Sequence, residues 1–386
     1  MTEKSPTLDE LREAAERKAG FSDYGSDSYL AGLEVLLYSL EHEANLNANG
    51  WREMRERIVN ALANRLTVVG WEKAHPDLAA APIESPIVII GLPRTGSSIL
   101  HETLAAAPGM RTPLIWEVRD LSLVRPATDA QSDVGIRDAN AAIARKNQLA
   151  PGYAAIHYED AQIPMECLGL LVIDLVTVQF STVLHAPTYR EFILNHDARE
   201  TYQWHRRALR LLQASNPGAR WVLKAPMHSL FLGALLETYP DARVIQTHRD
   251  PVRSLGSLCS LTETLRRAWS DHVPIKEQSP GDVAYVGEVI QRAVDYRRDH
   301  AFDEARYCDV AFKDFMGDPA TTLARIFTHC GMAFTAEARA ATLGYLEQRP
   351  REKYGKHSYD LEQFGLSPEA LTPQFADYSA RFANYL

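Results

Sequence analysis

The chain has 386 residues, 46% of them hydrophobic and 24% charged, and a formal net charge of −9. That length and composition suit a soluble protein with a sizeable core, in one large domain or two ordinary ones. The acidic balance excludes general nucleic-acid binding, which needs a broad basic face, so an anionic ligand must be held by a local cationic cluster.

The opening stretch has no apolar h-region, so no signal peptide is expected. Thr7-Leu-Asp-Glu10 is a capping box and predicts a helix starting near Leu8. Leu30, Leu33, Leu36, Leu37 and Leu40 have helical spacing, and Trp51 to Trp71 continues in the same way. Residues 1–80 therefore read as an all-helical N-terminal region. "AHPDLAAAPIESP" is a linker into the second predicted domain, 81–386, which is α/β.

"IVIIGL" from Ile87 is a continuous apolar, β-branched run, as in a buried parallel strand. "SSILHETLAAAP" follows as a helix that stops before Pro108. "CLGLLVIDLVTVQF", Cys167 to Phe180, is the longest apolar stretch. Asp174 interrupts it and it is short for a membrane span, so no stable span is expected. It reads as core rather than as the wall of an acceptor pocket. "RWVLKA", "ARVIQTH" and "RYCDVAF" predict three more strands, and "HSLFLGALLETYP" a helix closed by Pro240. Strand, helix, strand is a βαβ crossover. The expected fold is thus a P-loop-type parallel sheet flanked by helices. Cys167, Cys259, Cys308 and Cys330 show no metal-ligand or redox spacing, which fits free thiols in a reducing cytoplasm.

The chemistry concentrates after the first strand. Gly91-Leu-Pro-Arg-Thr-Gly96-Ser97-Ser98 has the spacing of the phosphate loop G-x-x-x-x-G-K-[ST], but serine stands at 97 where that motif has lysine. A glycine-rich turn that opens a helix presents backbone N–H groups and the positive end of the helix dipole to an anion. Here the loop's cation is Arg94.

"PRTGSS" resembles the 5′-phosphosulfate loop of the sulfotransferases that use 3′-phosphoadenosine 5′-phosphosulfate (PAPS), especially a bacterial branch related to tyrosylprotein sulfotransferases. The resemblance covers roughly Ile87 to Leu366. It implies that Pro93, Arg94, Thr95, Gly96, Ser97 and Ser98 cradle the 5′-phosphate, with Arg94 on the oxygen between phosphate and sulfate. It further implies a 3′-phosphate site at Arg249 and at Ser257, eight positions later in "QTHRDPVRSLGS". Arg253 is a weaker candidate. Lys224 in "WVLKAPMHS" matches a lysine that stabilises charge on the phosphosulfate. His228, four residues on, reads as a polar cap.

The resemblance also implies a basic C-terminal loop that closes over the nucleotide, here Lys356, His357 and Tyr359, although the R-K-G-x-x-G form of the eukaryotic cytosolic enzymes is absent. For the general base it suggests Glu117, 23 positions beyond Arg94. His157 and Glu166 are rivals for that role and are assigned to acceptor binding. Glu159 and Asp160 read as solvated. The implied reaction moves a sulfuryl group from PAPS to a hydroxyl of a small-molecule or lipid-like acceptor. It uses no metal and releases 3′-phosphoadenosine 5′-phosphate (PAP). Two other readings compete. A P-loop kinase or NTPase needs lysine at 97 and an acidic Mg²⁺ ligand ending a strand, and neither Asp174 nor Asp250 fills that place convincingly. A non-catalytic nucleotide-binding module would need no base, so the joint presence of Arg94, Lys224 and Glu117 argues against it.

Overall fold

The computed structural model describes residues 5–124, 129–215, 217–349 and 360–386. They group into two compact units. One comprises Met1–Ile83, Pro113–Gly218 and Thr262–Val273; the other comprises Glu84–Thr112, Ala219–Leu261 and Pro274–Leu386.

The second unit holds the sheet. Its strands are β1 (Ile87–Gly91), β2 (Met110–Arg111), β3 (Arg220–Lys224), β4 (Arg243–His248) and β5 (Tyr307–Ala311). All pair in parallel, in the order β2-β3-β1-β4-β5. Residues alternate between faces of a strand. Ile87 and Ile89 of β1 join Val222, Ile245 and Val310 in one apolar core, with Leu100 and Leu104 of the helix Ser97–Ala105 and Leu323 and Ile326 of the helix Pro319–His329. Both faces of β1 are buried, which is why its sequence is apolar at every position.

The four strands expected from sequence are present. The fifth, β2, is two residues long and carries no strand pattern; it exists because Met110 and Arg111 pair with Arg220 and Trp221. The helix expected from His228 begins later, at Leu232, because Pro226 opens a 3₁₀ turn over Pro226–Ser229. Chain order reverses at β1, which has β3 on one side and β4 on the other. In open parallel sheets that reversal leaves a crevice beyond the carboxyl ends of the strands, where ligands bind. The loop after β1 opens into it.

The first unit is helical. Thr7 and Glu10 form both bonds of the capping box, with Glu10 N–H donating to Thr7 Oγ1 (3.2 Å) and Thr7 N–H to Glu10 Oε2 (2.8 Å). Helices Leu8–Ala19, Ser28–His42 and Ala48–Ala74 follow. Asp174 interrupts the apolar stretch for a structural reason. Arg65 Nη1 donates to Asp174 Oδ1 (2.9 Å), both side chains are fully buried, and Thr201 Oγ1 donates to Asp174 Oδ2 (2.7 Å). A buried charge needs such partners. The stretch folds as short pieces, Leu168–Leu171, Val172–Asp174 and Val178–Val183, with the break at Leu175, whose φ is +53°. No described helix is long and apolar enough to cross a membrane. All four cysteines are buried free thiols.

Candidate functional site

The loop after β1 depends on two glycines. Gly91 has φ +134°, and a Cβ there would lie 2.5 Å from the Thr247 carbonyl oxygen. Gly96 has φ +85° and caps the helix Ser97–Ala105; a Cβ there would lie 2.4 Å from Phe312 Cδ2. Either substitution would force backbone or ring apart. The N–H groups of the helix's first turn have no intrahelical acceptor, which makes this end an anion site by construction. Thr95 turns inward: its Oγ1 donates to the Leu92 carbonyl (2.7 Å) and lies 2.6 Å from Thr247 Oγ1, tying the loop to β4. Gly91 N–H donates to Ser229 Oγ (3.3 Å). Thr247, Ser229 and Phe312 thus shape the loop, and no local sequence signal marks them.

Among the described residues of the sheet unit, three cationic side chains meet this loop. Lys224 ends β3, is 2% exposed, and its Nζ donates to Ser98 Oγ (2.9 Å). Arg94 Nε donates to Ser257 Oγ (3.1 Å). Arg249, the residue after β4, donates from Nη1 to the Arg94 carbonyl (3.3 Å), and its guanidinium lies 4.8 Å from the Phe312 ring centroid. Register explains the convergence. β1 pairs with both β3 and β4, so residues ending those strands flank the turn that follows Gly91. Ser257 comes from the helix Pro251–Trp269, which β4 feeds directly. The loop, Lys224, Arg249 and Ser257, chosen from sequence for one nucleotide, lie together. The Arg253 side chain is 77% exposed, and its Nε sits 3.8 Å from Asp250 Oδ2. His228 is fully buried in the 3₁₀ turn. Lys356, His357 and Tyr359 lie outside the described residues.

The remaining candidates belong to the helical unit. Glu117 is the third residue of the helix Ile115–Arg119, is 6% exposed, and accepts from Leu114 N–H through Oε2 (3.0 Å). It is a capping carboxylate at a helix start. Residues 113–116 run beside 161–165, with Met165 N–H donating to the Pro113 carbonyl (2.7 Å) and Trp116 N–H to that of Ala161 (3.0 Å). The segment carrying Glu166 therefore follows the entrance to the Glu117 helix. His157 caps the short helix Tyr153–Ile156, with Nε2 3.9 Å from Glu159 Oε1.

Glu159 is not solvated as its sequence context suggests. Its side chain is 14% exposed, Lys146 Nζ donates to its Oε2, and the Tyr153 hydroxyl donates to Oε1 (2.8 Å). Burial alone would raise this carboxyl; the neighbouring Lys146, His157 and Tyr153 outweigh it and hold it below its ordinary value.

The pair borders a cavity of about 170 Å³. Ala61, Ile115, Ala139, Ala142, Gly169 and Val172 share its lining with the charged Glu53, Arg57, Arg119, Lys146 and Glu159. The apolar stretch is thus core at Leu170, Leu171 and Ile173 but cavity wall at Gly169, Val172 and Gln179. Gly169 is required there, since a Cβ would lie 2.5 Å from Val118 Cγ1. Ile115, Val118 and Arg119 line the cavity and Glu117 does not, because residue 117 points away from 115 on a helix.

The structure resembles the crystal structure of sulfotransferase STF1 from Mycobacterium tuberculosis, with TM-score 0.83 and 30% identity over 96% of this chain and 99% of that one. It also resembles sulfotransferase STF9 from Mycobacterium avium, with TM-score 0.86 and 26% identity over 99% and 98%. Among curated proteins, the omega-hydroxy-beta-dihydromenaquinone-9 sulfotransferase Stf3 of Mycobacterium bovis and that of Mycobacterium tuberculosis are each 25% identical over 253 residues. Those matches span 64% of this chain and 63% of the relatives' own length. The profile of the sulfotransferase family matches residues 86–336, a span that begins one residue before β1 and takes in the loop, Lys224, Arg249 and Ser257; the chain belongs to the sulfotransferase family.

Proposed function

We propose that this chain transfers the sulfuryl group of PAPS to a hydroxyl of a small, lipid-like acceptor and releases PAP. One observation carries the reading: Arg94, Lys224, Arg249 and Ser257 converge on a helix-opening glycine loop. Guanidinium, amine, hydroxyl and backbone N–H are all donors, and such a set suits an anion with phosphates at more than one position. When bound, PAPS supplies an activated sulfuryl group on its 5′-phosphate.

The chain's own residues have distinct tasks. The amides of the loop, with Ser97 and Ser98, hold the 5′-phosphate. Arg249 and Ser257 hold the 3′-phosphate. Arg94 and Lys224 stabilise the negative charge that grows on the leaving oxygen, a contribution that counts most in the transition state. Glu117 accepts the acceptor's proton, and His157 and Glu166 shape the acceptor's surroundings. The chain's cations supply the charge that Mg²⁺ supplies in NTP-binding loops, so no metal is required. The acceptor class is supported by the name of the curated relative, a sulfotransferase of a hydroxylated menaquinone.

Calorimetry with PAP in the presence of EDTA, followed by PAPS turnover across hydroxylated lipids, phenols, sugars and peptides, tests the proposal. Metal-independent PAP binding and turnover on a lipid alcohol are expected. Binding of ATP in preference to PAP, or strict dependence on Mg²⁺, would overturn it in favour of a kinase.

A further inference from the structure

The cavity of the helical unit has filled acceptors and open donors. Two carboxylates line it, Glu53 and Glu159, and both oxygens of each are engaged. Arg57 Nε donates to Glu53 Oε1 (2.8 Å) and Arg145 Nη2 to Glu53 Oε2 (3.3 Å). Lys146 Nζ and the Tyr153 hydroxyl donate to the two oxygens of Glu159. Behind the wall, Glu56 accepts in the same way from Arg119 Nη2 (2.7 Å) and Arg145 Nη2 (2.9 Å). Asn64 donates to the Val118 carbonyl and accepts from Leu121 N–H, each at 3.0 Å. Asn60 Oδ1 accepts from Lys18 Nζ (2.6 Å).

The cations are not filled in this way. A guanidinium carries several N–H donors in a fixed fork. Arg57 gives Nε to Glu53 and Arg119 gives Nη2 to Glu56; among the described residues, their other guanidinium nitrogens meet no acceptor. Both side chains are largely covered, 21% and 34% exposed, so water solvates them incompletely. Gln179 adds an amide that serves either as donor or as acceptor. Charge leans the same way. Arg57, Arg119, Arg145 and Lys146 pair with Glu53, Glu56 and Glu159, four cations against three carboxylates. Burial would raise the Glu53 carboxyl, but Arg57 and Arg145 outweigh it and hold the group below its ordinary value. It therefore stays ionised and stays bonded.

We propose that this cavity binds a carboxylate carried on a ring-sized apolar body. A monoanion matches the one positive charge left over, and two carboxylate oxygens match the paired N–H groups of a guanidinium. A phosphate dianion would exceed that charge, and a neutral carbonyl would leave it uncompensated. The apolar body lies against Ala139, Ala142, Ile143, Met165 and Val172. A cavity of about 150 Å³ holds a benzene ring, and this one measures about 170 Å³. All of its lining belongs to the helical unit, and the inference stands apart from the nucleotide assignment.

The probe is benzoate, titrated by calorimetry against the full chain, with benzyl alcohol as its neutral counterpart. Benzoate should saturate in the millimolar range or below, and benzyl alcohol should bind at least about tenfold more weakly. Arg57→Gln should weaken benzoate about tenfold, the scale of one lost bond between charged partners, and leave benzyl alcohol unchanged. Ala142→Trp keeps every charge, fills the cavity and should abolish binding of both, so it decides the matter if a thermal melt shows Arg57→Gln unfolded. Wild-type protein that binds no benzoate, equal affinity for the alcohol, or benzoate binding that survives either folded variant overturns the proposal. Two sources share this chemistry, the acidic end of the acceptor and a separate small acid, and PAPS turnover of a lipid alcohol tells them apart. Benzoate that raises the alcohol's KM occupies the acceptor's own place; benzoate that leaves it unchanged occupies a site apart. A chain that binds benzoate as expected and no PAP would bring down the sulfuryl-transfer reading and leave this inference standing.

Discussion

Lys224→Met separates the electrostatic role of that side chain from its packing. Methionine keeps an unbranched stem of similar length at the end of β3 and removes the cation. The amine it removes is nearly inaccessible, 2% exposed, and bonded to Ser98 Oγ at 2.9 Å. A hydrogen bond to a charged group contributes about 1.5–3 kcal/mol. If that contribution is realised as charge leaves the phosphosulfate, turnover falls by about 10- to 150-fold, at about 1.4 kcal/mol per decade. Stability should not fall with it. Replacing a buried charge by an apolar side chain of like volume is often neutral or stabilising, and half-buried Ser98 can bond water instead. The assay is steady-state kcat and KM for PAPS, with a thermal melt and a PAP titration on the same preparation. A kcat within twofold of wild type, with the loss confined to KM, would refute the transition-state role. A melting point several degrees lower would show that the lysine is structural.

Arg249→Ala should weaken PAP binding and leave adenosine 5′-phosphosulfate little changed, read by competitive titration of the two; an equal loss for both would mean the 3′-phosphate site is misplaced. Gly96→Ala places a methyl 2.4 Å from Phe312 at φ +85°, so denaturant unfolding should show a loss of about 2–4 kcal/mol from left-handed backbone and overpacking together. Glu117→Gln should cut turnover by about 10²–10⁴ with PAP affinity within a few-fold of wild type. His157→Ala should cost less, and the reverse ranking in the same kinetic assay would make the histidine the base. Ala142→Trp fills the cavity of the helical unit and should raise the acceptor's KM at least tenfold while PAP titrations stay unchanged; an unaltered acceptor KM would show that the cavity takes no part.

The glycine loop after β1 was legible because each of its parts obeys a local rule. A buried β-branched run, two glycines and a serine-opened helix are readable in one window, and β1, the turn and Ser97–Ala105 follow in that order. Lys224 and Arg249 could be matched singly, yet their meeting depends on a strand order that no window contains. β2 was invisible because two residues pair only by courtesy of β3. Glu159 misled for a related reason. In sequence it sits among polar residues, and its partners Lys146 and Tyr153 are supplied by the preceding helices. Asp174 was rightly seen as an interruption, but its purpose required Arg65, 109 positions away. The contact between His248 Nδ1 and the Tyr378 hydroxyl (2.8 Å) spans 130 positions and leaves no periodic trace at either end.

The displaced cation of the loop now has a physical account. Position 97 is the first residue of a helix and its side chain is buried, so a lysine there would have to extend across the turn to reach solvent or a phosphate. Serine fits the space and leaves the cation to come from elsewhere. Lys224 brings an amine to Ser98 from the neighbouring strand. Arg94 stands at φ +69°, a left-handed backbone that costs an ordinary residue about 1–2 kcal/mol. Strain of that kind persists where surrounding contacts fix it, and it gathers at functional sites. Here the contacts are specific: the Arg94 carbonyl accepts from Arg249, and its Nε donates to Ser257. An arginine held on the crest of the loop therefore joins the turn that would face a 5′-phosphate to the pair that would face a 3′-phosphate. A lysine at 97, on the helix side of the turn, would be placed for a chain of phosphates at one position. Moving the cation to 94 and adding Arg249 and Ser257 suits a nucleotide with phosphate at two positions, which is the physical difference between this loop and the one whose spacing it shares.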